Sequence, residues 1–155
     1  MQKINFENKN AIITGATGSI GGCIAKRLAA EKVNLTLISS SKNRLNRQIK
    51  DLQKYNVSIK GIISNLSSNE DLKKLSKKIS NNKFEILINS AGIFPNKSIF
   101  KMNYDEYLKV LNVNLNSAYL LSSIISRNMK KQKWGRIVNI GSSSCYSGFK
   151  NTIAY

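Results

Sequence analysis

Five short apolar runs alternate along this chain with stretches whose apolar residues recur at helical spacing. The runs are Asn10–Thr14, Asn34–Ser39, 57–63, Glu85–Asn89 and Arg136–Ile140. Short runs rich in Ile, Leu and Val, bounded by Gly, Ser and Asn, read as strands buried on both faces. Between them, Ser19–Glu31 carries Ile20, Ile24 and Leu28 on one side, and residues 42–54 carry Leu45, Ile49 and Leu52. A third helix is capped by Ser68 or Asn69, holds Glu70 and Asp71 where the helix dipole favours acid, and turns Leu72, Leu75 and Ile79 inward. A loop containing Pro95 leads to one long helical stretch over about 104–129, and the tail 141–155 reads as loop. Strands that alternate with helices pair in parallel and are covered on both faces. Right-handed crossovers then predict an α/β, doubly wound sheet in the order 3-2-1-4-5. No internal linker interrupts it, so residues 1–155 read as one domain.

Composition narrows the chemistry. The chain of 155 residues has no histidine, which excludes Ser-His-Asp triads, histidine zinc sites and a histidine base. Cys23 and Cys145 are far apart and form no CxxC, so no metal site is expected and both read as free thiols of a cytoplasmic protein. No run reaches the ~20 apolar residues of a membrane span. Met1–Asn10 lacks the apolar stretch of a secretory signal. The net charge of +17 invites a nucleic-acid surface as one alternative. The lysines of 42–54 and 73–83, however, alternate with inward apolar residues and read as solvated helix faces.

In a doubly wound sheet, ligands bind beyond the carboxyl ends of the strands. The first such end is Thr14-Gly-Ala-Thr-Gly-Ser-Ile-Gly21, between a strand and a helix. Gly15 permits the tight turn, Gly18 clears the approach of phosphate, and Gly21 lets helix pack on sheet. The backbone from Thr17 through Ser19 and Ile20 opens the helix, whose free N–H groups suit a pyrophosphate. About 20 residues on, an NAD site places a carboxylate on the ribose 2′-OH. Here stand Ser39, Ser40, Ser41 and Lys42, with Arg44 nearby. Hydroxyls and a cation favour a 2′-phosphate, so NADP is expected, with NAD as the alternative. At the fourth strand end, Asn89-Ser-Ala91-Gly92 offers small residues for a flat ring and an asparagine to brace neighbouring strands. Past the fifth strand, Ser142 is followed thirteen residues later by Tyr155. A tyrosine of lowered pKa can protonate a carbonyl oxygen that a serine hydroxyl holds.

With TGATGSIG, NSAG, Asn112-Val-Asn114 and GRIVNIGSS followed by Tyr155, in that order and spacing, the chain resembles the classical short-chain dehydrogenases/reductases. Among them it is most similar to the 3-oxoacyl-acyl-carrier-protein reductases, over about Lys9 to Tyr155. The resemblance implies a Rossmann fold lacking the family's last two strands. It also implies hydride transfer between nicotinamide and a carbonyl or alcohol substrate, with a 3-oxoacyl thioester on acyl-carrier protein as the default. By the same likeness Asn114 would hold a water in the proton relay, Ser142 would orient substrate and Tyr155 would donate the proton. Asn65 and Leu66 would sit against the adenine. Family members are usually homo-oligomers. Three features depart from the pattern. The glycine turn has the TGxxGxxG spacing of the extended branch, the turn lacks the arginine of many NADP-dependent members, and no lysine follows Tyr155 at the fourth position. The last departure implies a chain cut short and inactive by itself. A non-catalytic nucleotide-binding fragment is therefore the second reading.

Overall fold

A computed structural model describes residues 5–155. Residues 1–4, part of the stretch read above for a secretory signal, lie outside the described residues. Five parallel strands form one sheet in the order β3-β2-β1-β4-β5. They are β1 Asn10–Thr14, β2 Asn34–Ser39, β3 Ile59–Ile63, β4 Ile86–Asn89 and β5 Arg136–Asn139. The helices are α1 Ser19–Ala30, α2 Lys42–Leu52, α3 Asn69–Ile79, α4 Tyr104–Leu111 and α5 Ser117–Gln132.

Alternation along each strand sorts the core into two layers, because successive side chains point to opposite faces. Ala11 and Ile13 of β1, with Leu35 and Leu37 of β2, face Ala25 and Ala29 of α1 and Leu45 and Leu52 of α2. Ile12, Ile38 and Leu87 face the other way, onto Leu72, Leu75 and Ile79 of α3 and Leu121 and Ile125 of α5. Ser68 is the cap of α3, its hydroxyl accepting from the N–H of Asp71 at 3.2 Å. Lysines 73, 74, 77 and 78 fall outside the buried stripe of that helix.

The structure corrects three expectations. Ile20 is exposed; the buried stripe of α1 is Gly21, Ala25 and Ala29, with Ile24 and Leu28 partly buried, because only small side chains let α1 lie close to the sheet. The stretch read as one helix is two, α4 and α5, joined by a π-helical turn at Asn112–Asn116. Helical spacing alone does not distinguish an i→i+5 turn from an α-helix. Residues Gln53–Tyr55 close α2 as a 3-10 turn, and Ser143–Cys145 form another within the tail. Helices cover both faces of the sheet, and its edge strand β5 is exposed along its whole length. Among the described residues no helix is long and apolar enough to cross a membrane.

Candidate functional site

The carboxyl ends of β1 to β4 open onto one cleft of about 350 Å³. Its floor is the glycine turn. Gly15 has φ +61°, the left-handed region that favours glycine, and a Cβ there would stand 2.8 Å from the Ala91 backbone. The Gly18 N–H donates to the Gly15 carbonyl at 2.9 Å, and the Ala16 N–H ties the turn to Ile38 of β2 at 3.2 Å. A Cβ on Gly21 would collide with the Gly15 carbonyl oxygen, so α1 starts directly against the turn. Gly18 caps α1 without a side chain, and the first turn carries no acid. The leading N–H groups and the positive end of the dipole, beside cleft-lining Gly18, thus have no carboxylate of that turn against them.

At the end of β2 the hydroxyls are already engaged. Ser39 is buried, bonds Thr17 hydroxyl to hydroxyl at 2.9 Å, and accepts from the Ser41 N–H at 3.1 Å. Ser39, Ser40 and Arg44 all line the wall there, the Ser39 hydroxyl held by Thr17 and Ser41. Lys42 is exposed and outside the lining; the turn of α2 that follows cap Ser41 brings round the side chain at 44 instead. After β3, Asn65 folds its carboxamide oxygen onto Ser67, at 3.1 Å from the N–H and 2.8 Å from the hydroxyl. Leu66 is buried in the core and also borders the cleft.

At the end of β4, Thr14 and Asn89 are partners in register, as are Asn89 and Asn139. The Thr14 hydroxyl accepts from the N–H groups of Ser90 and Ala91, each at 3.1 Å, and so bends the chain away from the strand. Asn89 donates to Asn139 at 2.8 Å and to Ser122 at 3.3 Å. Its side-chain carboxamide oxygen, like the Ser64 hydroxyl, is buried with no hydrogen-bond partner. Ala91 and Gly92 line the cleft; Asn89, Ser19, Ile20 and Gly21 support it from outside.

Of the remaining candidates, Asn114 braces that wall, while Ser142 and Tyr155 are not among its lining residues. Asn114, in the π turn, accepts from the Ile93 N–H and donates to the Ile93 carbonyl, both at 2.9 Å. Ser142 spends its hydroxyl on its own turn, donating to Ser144 Oγ at 3.0 Å and accepting from the Ser144 N–H at 3.1 Å. Tyr155 is 44% exposed and packs on Phe94. Among the described residues no hydrogen bond joins Ser142 to Tyr155. Sequence reasoning missed Ile38, Ser64, Ser67, Ile93, Lys109 and Val113, which also line the cleft. The spacing of Lys109 and Val113, one helical turn, was the available signal. Outside the cleft, a hydrogen bond from Lys97 holds the Glu106 carboxyl below the usual carboxylate range. No cluster of three or more His, Cys, Asp or Glu is placed to hold a metal among the described residues.

A family model for short chain dehydrogenases matches residues 9–155. The 3-oxoacyl-acyl-carrier-protein reductase of Aquifex aeolicus is 33% identical over 156 residues, which span 99% of this chain and 63% of that one. The enzyme of the same name from Buchnera aphidicola subsp. Baizongia pistaciae is 38% identical over 143 residues, covering 90% of this chain and 57% of its own. The chain thus spans about 60% of the length of these curated relatives. Among solved structures, a bulky-bulky ketone specific alcohol dehydrogenase from Comamonas testosteroni superposes with TM-score 0.90 at 26% identity, covering 95% of this chain and 60% of that one. An NAD+-bound xylitol dehydrogenase superposes with TM-score 0.86 at 27% identity, over 98% and 60% of the two chains. The sheet order, the glycine turn between β1 and α1 and the match over residues 9–155 agree, and the chain belongs to the short-chain dehydrogenase family.

Proposed function

We propose that the cleft binds NADP(H) and that these residues form the nucleotide-binding part of a carbonyl reductase. The observation that carries the reading is the wall beyond β2: Ser40 and Arg44 line it, and no carboxylate does. A 2′-phosphate gains a guanidinium and a hydroxyl there and meets no repelling charge. The cleft fits a dinucleotide in two further respects. The start of α1 presents N–H groups uncapped by any side chain. Ala91 and Gly92 keep the wall beyond β4 flat enough for a ring. When bound, a nicotinamide supplies the two electrons and one proton that reduce a carbonyl carbon. This chain's own residues then hold the substrate oxygen and protonate it: Ser142 as donor to the oxygen, Tyr155 as acid, with Asn114 bracing the wall at Ile93. The names of the curated relatives make a 3-oxoacyl thioester the first substrate to try.

The test is a fluorescence titration with NADPH and NADH. Tighter binding of NADPH, with Arg44→Ala reducing the preference by about tenfold or more, supports the reading. Ser39→Asp should turn preference toward NADH, since a carboxylate accepts the 2′-OH and repels the phosphate. Equal affinities in the parent chain overturn it.

A second reading, nucleotide binding without turnover by these 155 residues, is favoured by the separation of Ser142 and Tyr155 into different hydrogen-bonded turns. NADPH oxidation with an acetoacetyl thioester should then be absent from these 155 residues. Turnover above the uncatalysed rate would refute this reading. The relatives are reductases and dehydrogenases, and nothing in the cleft favours the nucleic-acid alternative.

A further inference from the structure

We propose that Lys109 is a second specificity-determining cation of the cleft, acting with Arg44 to select a nucleotide that carries a 2′-phosphate. The inference rests on the reading of the cleft as an NADP(H) site. The charged side chains among the lining residues are Arg44 and Lys109, and both are cations. They come from different elements, Arg44 from α2 and Lys109 from α4. The glycine turn contributes Gly15, Thr17 and Gly18 to the lining, none of them charged. A phosphate monoester carries a charge of about −1.5 to −2 near neutral pH, more than one guanidinium balances.

The backbone around Lys109 is fixed on the cleft at two points. Asn112 donates to the Ser67 carbonyl at 3.1 Å, and Asn114 holds Ile93; Ser67 and Ile93 both line the cleft. Lys109 lies on the Ser67 side of this pair, three residues from Asn112 and five from Asn114. The segment that contains Ser67 is joined in turn to the wall that carries Arg44, because the Ser64 N–H donates to the Ser39 carbonyl at 3.0 Å. Both cations therefore flank the same end of the cleft, on either side of residues 64–67. The ammonium itself is unspent. Two carboxylates stand within one turn before it. Glu106 is taken by Lys97 and by the Asn103 N–H. The ion pairs among the described residues are Arg27–Glu31, Lys74–Glu70 and Lys97–Glu106, so neither Asp105 nor Lys109 belongs to one. Asp71 accepts from the Asn65 N–H at 2.9 Å and is not among the lining residues. Lys109 is exposed, and its flexible four-carbon stem lets the charge follow a phosphate that enters beside Arg44.

The experiment measures Kd for 2′,5′-ADP and 5′-AMP, which differ only in the 2′-phosphate, by calorimetry on the parent chain, Lys109→Gln and Lys109→Arg. Lys109→Gln should weaken 2′,5′-ADP about 3- to 10-fold and leave 5′-AMP within about twofold. Retained 5′-AMP binding also shows that the variant is folded. Lys109→Arg keeps the charge and should match the parent within about twofold for both. The loss in Lys109→Gln should shrink as salt rises from about 0.05 to 0.5 M, since exposed charges are screened. Unchanged 2′,5′-ADP affinity in Lys109→Gln, while the parent still prefers 2′,5′-ADP, overturns the role of Lys109 and leaves the NADP(H) reading standing. Equal weakening of the two nucleotides also overturns it, because that pattern marks a contact to the shared adenosine. A loss in Lys109→Arg as large as in Lys109→Gln overturns it as well, because the charge is then not what acts. A parent chain with no preference for 2′,5′-ADP removes the NADP(H) reading, and the role of Lys109 with it.

Discussion

Asn114 grips Ile93 at both the N–H and the carbonyl, each at 2.9 Å, across 21 residues of sequence. A carboxamide that both accepts and donates on one residue fixes that residue's orientation as well as its place. The contact joins the π turn to the loop leaving β4, and Ile93 lines the cleft. Asn114→Ala removes both bonds, and each contributes about 0.5–1.5 kcal/mol net. We expect a loss of about 1–3 kcal/mol in urea unfolding and a weaker NADPH titration. Asn114→Asp keeps only the accepting end and should fall between. A variant as stable and as tight-binding as the parent would show that the loop holds itself.

Thr14 carries a heavier structural duty than its size suggests. Its hydroxyl is buried and is the acceptor for two consecutive amides, those of Ser90 and Ala91. Thr14→Val is isosteric but strands both donors, and should destabilise the protein by about 2–4 kcal/mol. Thr14→Ser keeps the acceptor and loses one methyl, a change of about 1 kcal/mol. Thermal unfolding of the pair separates the hydroxyl from the packing.

Gly15→Ala meets two obstacles at once: a φ of +61° and the Ala91 backbone 2.8 Å from the new Cβ. The turn must open, at a cost of about 2 kcal/mol or more, and NADPH binding should weaken beyond tenfold. Gly141→Ala, where nothing lies within 4 Å, is the matched control and should stay within about 0.5 kcal/mol. Similar behaviour of the two would remove the argument from turn geometry.

Glu106 makes part of the stability depend on acid. Its carboxyl is held below the ordinary range, first by the hydrogen bond from Lys97 and then by the Asn103 N–H. A carboxyl depressed on folding stabilises the fold above its unfolded pKa, about 4.3, and that gain is lost as pH falls through the lower folded value. The stability difference between the parent and Glu106→Gln should therefore be larger at pH 7 than at pH 3. A difference independent of pH would assign the pair no role in this linkage.

Strand positions were legible because their signal is local. Asn10–Thr14 and Asn34–Ser39 stand where the apolar runs placed them, and β3, β4 and β5 differ only at their ends. The boundary between α4 and α5 was not legible, since a π turn keeps the helical pattern of apolar residues. The error at Ile20 has a related cause. Its size marked it for the core, but the space between α1 and the sheet admits only glycine and alanine.

The order of strands and helices, the glycine turn at the first crossover and the small residues after β4 follow from local sequence alone. Each depends on residues near one another in the chain, where periodicity and turn chemistry act. Packing sets which cations reach the cleft, Arg44 and Lys109 but not Lys42, and where Asn114 spends its amide. It alone set Tyr155 against Phe94, and Ser142 within its own turn. Those pairings depend on how crossovers bring distant segments together, and on a rotation of one residue along a helix. Such a rotation, about 100°, is enough to turn a side chain from the cleft to solvent.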